Sequence, residues 1–173
     1  MNTIRLKTPF EVGKVPLSEY PRPQFARDSY KTLNGYWDYS IFRREDGFPG
    51  WQGKILVPYS PECLLSGLPE GMEVKPDDVL CYRLKFDMDE SFFKGCTLLH
   101  FDAVDCFATV YLNEQELGTH VGGYTAFGFD VTGIIKAGTN VLEVIVTDPS
   151  DTSYHSRGKQ KLSHGGIWYT PQS

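Results

Sequence analysis

The chain is expected to be all-β, a jelly-roll sandwich, on three observations. Helical periodicity is nearly absent; short runs of β-branched and aromatic residues recur between clusters of Gly, Pro, Asn and Asp; and some connections between those runs are long. At 173 residues the chain has the size of one domain, able to bury roughly two-thirds of the surface its unfolded form exposes. It does not need disulfides to fold.

Strands are expected at residues 35–42, 54–57, 81–88, 97–101, 108–112, 116–120, 124–130 and 140–148. In the last run Leu142, Val144 and Val146 point one way and Glu143 and Thr147 the other, the alternation of a strand with one solvated face. The polar segment after Leu112 reads as a hairpin, with Asn113 favouring the turn because it tolerates a left-handed conformation and its amide can bond nearby backbone. Gly122-Gly123 and residues 136–140 give two more turns.

Two stretches break the pattern. Residues 1–30, with Pro9, Pro16, Pro21 and Pro23, read as an extended arm lying over a neighbouring surface, ahead of a sandwich at 31–173. Residues 58–80 hold four prolines and form a long connection, which makes them a site candidate.

Composition excludes several classes. A net charge of −5 without a basic cluster gives no footprint for nucleic acid. No window approaches the roughly 20 apolar residues of a spanning helix, and no signal-peptide run opens the chain, so neither membrane nor nucleic acid is an expected partner and the cytoplasm is the expected compartment. Cys63, Cys81, Cys96 and Cys106 show no C-x-x-C pair and no histidine at metal-ligand spacing; buried thiols in a reducing compartment are expected, with no metal site and no cofactor.

Catalytic motifs are equally sparse. There is no G-x-S-x-G elbow, phosphate loop or H-E-x-x-H, and His100, His120, His155 and His164 do not pair at helical or turn spacing. His100 and His120 fall in expected strands, where a structural role is the plain one. Asp77 and Asp78 read as turn residues leading into the third strand, and Asp102, Asp105 and Asn113 as caps of the fifth. Trp37, Trp51, Tyr124, Trp168 and Tyr169 offer rigid planes that could stack on sugar C–H faces, although most aromatics of a sandwich belong to its core.

The segments LNGYWDYSI, ILVPYSPECLLSG, VLCYRLKF, LLHFDAVDCFATVYLNEQELGTHVGGYTAFGFDVT, GTNVLEVIVTDPSD and RGKQ…GGIWYTPQS occur in that order. Together they resemble the amino-terminal sugar-binding domain of family 2 glycoside hydrolases, the group of β-galactosidases, β-glucuronidases and β-mannosidases. The resemblance covers residues 20–173. It implies a galactose-binding-domain-like jelly roll, followed in the parent by an immunoglobulin-like domain and a (β/α)₈ barrel carrying both catalytic glutamates. It also implies that the sandwich continues past Ser173 into a glycine-led closing strand, so the chain is expected to stop short of its last strand.

On that resemblance the domain holds no catalytic residue, and its partners are a β-glycoside carbohydrate, the parent's own catalytic barrel and, in a homo-oligomer, other subunits. Two loops would approach the active-site mouth: one with Glu62 and Ser66, the other with His164, Trp168 and Tyr169. Lys159 and Gln160 would lie near substrate or brace the barrel. Some relatives place a sugar-binding carboxylate where this chain has Trp168, which leaves the preferred sugar open. A free-standing carbohydrate-binding module and a purely structural, subunit-interface domain are the other two readings. The first would show exposed coplanar aromatics; the second would bury Trp168 and Tyr169.

Overall fold

The computed structural model describes residues 15–69, 71–157 and 162. Eight strands run through them: β1 (Gly35–Arg43), β2 (Gly53–Val57), β3 (Asp78–Met88), β4 (Leu98–Phe101), β5 (Phe107–Leu112), β6 (Gln115–Val121), β7 (Phe127–Asp130) and β8 (Gly138–Thr147). Every expected strand is present. The third begins three residues earlier than expected, at Asp78, and in the seventh Tyr124, Thr125 and Ala126 belong to the connection rather than the strand. The turn begun by Gly122 and Gly123, with Gly122 at φ +112°, delays the extended run.

All pairings are antiparallel. Six strands form one sheet in the order β2-β1-β3-β8-β5-β6, and β4 pairs with β7 in a second, smaller layer. The chain passes from the small sheet to the large one and back, the interleaving that builds a sandwich.

Register explains what each face carries. One inward row crosses the whole large sheet: Gly53, Tyr39, Tyr82, Val144, Val110 and Gly118. A glycine stands at each end because rings fill the space. A Cβ on Gly118 would lie 3.1 Å from the Phe129 ring, and one on Gly53 would lie 3.2 Å from the Tyr39 ring. Burial pushes the Tyr82 hydroxyl far above its usual range, with the Glu62 carboxylate adding to the shift.

The row one residue over faces outward and reads Lys54, Asp38, Arg83, Glu143, Tyr111 and Glu116. Charges alternate along its first four members. Lys54 Nζ lies 2.6 Å from Asp38 Oδ1, while Nε and an Nη of Arg83 donate to Asp38 Oδ2 at 3.1 and 3.0 Å. The Arg83 guanidinium also sits 4.3 Å above the Trp51 ring. Desolvation would raise the Asp38 carboxyl, but the two cations outweigh it and hold the group below its usual range.

Few groups span the two layers. Phe127 of β7 stacks on Phe101 of β4 at 4.9 Å and on His120 of β6 at 4.0 Å, so three parallel rings tie the small sheet to the large one. His120 Nε2 lies 3.0 Å from the Gly122 carbonyl, the satisfied structural role expected from sequence. At the other end Asn113, in the left-handed region at φ +52°, donates to the Ile134 carbonyl and to Asn140 Oδ1, and accepts from the Val141 N–H. Asn140 is fully buried; its amide accepts from Lys136 N–H and donates to the carbonyls of Lys136 and Gly138.

Residues 15–34 form no strand and lie along the mouth of an apolar cleft between the sheets, about 1140 Å³, which Leu17, Tyr20, Phe25, Tyr30 and Leu33 help to line. Lys31 Nζ donates to the Asp87 carbonyl at 2.6 Å, and Asn34 to the Pro16 carbonyl at 3.1 Å.

Two outcomes follow from these contacts. Asn140→Ala strips partners from Lys136, Gly138 and Asn113 at once and is expected to cost about 2–3 kcal/mol, read as a lower urea midpoint at unchanged slope. Asp38→Asn is expected to cost about 1 kcal/mol at pH 7. Because the folded carboxyl titrates below its unfolded value, that difference is present above about pH 4 and closes as the pH falls through the folded value; melting curves of both chains across pH 2–7 check it.

Candidate functional site

The long connection at residues 58–77 is a built structure rather than a loose loop. A 3-10 turn, Leu64–Ser66, closes on Gly67 in the left-handed region at φ +81°. Ser66 is completely buried; its hydroxyl donates to the Pro61 carbonyl and accepts from the Leu68 N–H, both at 3.2 Å. Glu62 Oε1 accepts from the Val74 N–H at 3.0 Å, bridging the two arms of the loop. Leu68 and Val74 enter the core. Asp78 closes the segment, its N–H donating to the Lys75 carbonyl and its carboxylate accepting from the Lys75 N–H, which is the turn role expected for the Asp77-Asp78 pair.

Glu62 Oε1 and the Ser66 hydroxyl thus serve the loop itself. Outward the loop turns Leu64, 51% exposed, together with the charged Lys75 and Asp77 nearer β3. Lys159, Gln160, His164, Trp168 and Tyr169 lie outside the described residues.

A second cluster forms at the end of the sandwich where β8 leaves the sheet. The β4–β5 connection supplies Asp105 and Cys106, the residue after β8 supplies Asp148, and the following 3-10 turn, Ser150–Thr152, leads to His155. One donor atom from each of these four residues lies within 4.8 Å of the other three. Asp148 Oδ1 accepts from the Ser150 N–H at 2.8 Å and lies 3.3 Å from His155 Nε2, while His155 Nδ1 meets the Ser153 hydroxyl at 2.6 Å. Burial, then the Asp148 charge, raises the Asp105 carboxyl; burial, then the charges of Asp105 and Asp148, raises the Cys106 thiol.

Gly123 is the floor of this cluster, since a Cβ there would overlap the Asp105 carboxyl. Asp105 and Asp148 are close enough to suggest a glycosidase carboxyl pair, but Asp148 is 4% exposed and Cys106 1%, which leaves no room for a sugar ring between them. Sequence reasoning treats Asp105 as a cap and sees no histidine near a cysteine. The grouping depends on β5 and β8 being neighbours in register, Phe107 opposite Thr147, a long-range pairing that no local spacing reveals.

The aromatics divide as expected of a sandwich. Trp37 is core, its indole N–H donating to the Leu33 carbonyl at 2.8 Å; Trp51 is half-buried against Arg83; Tyr124 is exposed.

An antiparallel two-sheet sandwich whose long connections are internally braced belongs to the class of all-β accessory modules. Residues 69–169 match the family described as "Glycosyl hydrolases family 2, sugar binding domain", and the chain belongs to that family. It is 32% identical over 92 residues to a β-galactosidase of Thermoanaerobacterium thermosulfurigenes, covering 51% of this chain and 13% of that protein. It is 44% identical over 67 residues to a β-galactosidase of Thermoanaerobacter pseudethanolicus, covering 38% and 9%. The match to a Bifidobacterium dentium β-glucuronidase structure complexed with coumarin-3-O-glucuronide has a TM-score of 0.53 at 30% identity, over 66% of this chain and 19% of that one. A Ruminococcus gnavus β-glucuronidase, at 21% identity and a TM-score of 0.59, shares the fold. The chain therefore spans a small fraction of the length of these relatives.

Gly123→Ala is expected to push the Asp105 carboxyl out of place and lower stability by about 1–3 kcal/mol. A wild-type melting temperature in that variant would contradict the packing described.

Proposed function

We propose that this chain is the non-catalytic amino-terminal domain of a retaining β-glycosidase, one that closes the substrate pocket and packs against the catalytic barrel of the same protein. The observation that carries this reading is the braced 58–77 loop. It engages Glu62 Oε1 and the Ser66 hydroxyl in its own backbone and leaves Leu64 outward, with Lys75 and Asp77 exposed nearer β3, an arrangement that supports a fixed surface against another protein face. A retaining reaction needs two carboxyl groups about 5–5.5 Å apart with a sugar between them, and the one close carboxyl pair noted above is sealed. The chemistry is therefore assigned to the barrel.

The substrate class proposed is a β-glucuronide or β-galactoside, on the names of the relatives, with Trp168 stacking on the sugar where some relatives place an acid. The assembly proposed is a homo-oligomer. The four unpaired cysteines support a reducing compartment, hence the cytoplasm.

The free-standing binding module is less well supported. Its expected signature is a set of exposed coplanar rings, whereas Phe42 near the end of β1 and Phe48 and Trp51 of the β1–β2 connection meet edge to face, at interplanar angles of 71°.

The test is parallel hydrolysis of aryl β-galactoside, β-glucuronide, β-mannoside and β-glucoside by the full-length protein and by the 173-residue chain. The full-length protein is expected to cleave at least one and the chain none. Turnover by the chain itself, or none by the full-length protein, would contradict the assignment.

A further inference from the structure

We propose that Asp105, Cys106, Asp148 and His155 form a closed structural site for a zinc-class divalent cation. The four donors come from two separate stretches of chain, 105–106 and 148–155, and one atom of each lies within 4.8 Å of the rest. Tetrahedral zinc with bonds of about 2.0–2.3 Å sets its ligand atoms about 3.3–3.8 Å apart, so closure needs a contraction of about 1 Å on the longest edge.

Three further observations point to a ligand. First, Asp105 Oδ1 and His155 Nε2 are buried from solvent and make no hydrogen bond, and His155 Nε2 has the approach of Asp148 Oδ1 at 3.3 Å in its place. Second, the Asp148 carboxylate is 4% exposed and the Cys106 thiol 1%, and both lie beside the Asp105 carboxylate, an anionic group of donors that a bound cation would neutralise.

Third, the outer partners are those that orient metal ligands. The Ser153 hydroxyl engages His155 Nδ1 and leaves Nε2 facing the cluster; the Ser150 N–H fixes Asp148; and Gly123 leaves space for Asp105.

Donor type selects the ion. One sulfur, one imidazole nitrogen and two carboxylate oxygens suit zinc or cobalt; calcium and magnesium prefer all-oxygen shells. Four protein ligands leave no open position, so the ion would be structural. It would fasten the chain leaving β8 to the β4–β5 connection, ahead of the segment carrying Lys159 and Gln160. Binding displaces the thiol proton, and the imidazolium proton where present, to solvent.

The experiment is titration of the metal-free 173-residue chain with Co²⁺, followed by absorption. One equivalent is expected to bind with a sulfur-to-cobalt charge-transfer band in the near ultraviolet and the intense visible bands of tetrahedral cobalt, and Zn²⁺ is expected to abolish both. Cys106→Ser should remove the charge-transfer band. His155→Ala, at a half-buried position better able to tolerate truncation, should weaken Co²⁺ binding about 100-fold. Absence of the band in the wild-type chain overturns the proposal, as does a band surviving Cys106→Ser or Co²⁺ affinity unchanged in His155→Ala.

Discussion

Among the described residues a six-stranded sheet faces a two-stranded one, and the amide pair of half-buried Asn113 and fully buried Asn140 joins several of their segments. Asn113 follows β5 and turns the chain into β6; Asn140 lies in β8, the strand between β3 and β5; and of the carbonyls they bind, those of Ile134 and Lys136 belong to the connection from β7 and that of Gly138 to the start of β8. Four segments are thus fixed by two side chains whose amides are both engaged as donor and acceptor. In an interior of low dielectric such a network is strong when complete and costly when broken. The inward rows of Tyr, Val and Gly can then stack without register slip, since a shift of one residue would turn the outward row of Lys54, Asp38, Arg83 and Glu143 into the core.

The opposite end is held by stacking. His120, Phe127 and Phe101 make a three-ring pile between the layers, and the glycines around it leave room for what a side chain would displace: Gly123 for Asp105, and Gly128 for the Leu99 carbonyl. The HVGGYTAFGFD segment thus has a physical explanation. Its histidine is a packing ring, Gly123 and Gly128 are sites of close approach, and Gly122 supplies the positive φ of the turn.

Much of this was legible in the sequence. Period-two alternation and turn residues located all eight strands, because each signal is local: Val144 and Val146 alternate with Glu143 and Thr147 whatever the rest of the chain does. The left-handed Asn113 was readable for the same reason. The interiors of the connections were not. That Ser66 is completely buried depends on how residues 61–68 fold back on themselves, and the meeting of Cys106 with His155 depends on strand order. Turn preference located Asp105 near a strand end but says nothing of Asp148, which reaches it only because β5 and β8 pair.

Function follows from how these parts are divided. The sheet carries connections that are themselves braced, and in the 58–77 loop the Ser66 hydroxyl and Glu62 Oε1 are engaged by the loop's own backbone, which supports the proposal that the loop offers a fixed surface to another protein face. The central claim is that this surface serves the parent protein and not free sugar. The direct measurement is titration of the isotopically labelled 173-residue chain with methyl β-glucuronide and methyl β-galactoside, followed by amide chemical shifts. The account predicts no saturable shift at Cys63, Leu64, Leu65 or their neighbours at millimolar sugar; a saturable set of shifts confined to that loop would contradict it and make the chain a sugar receptor in its own right.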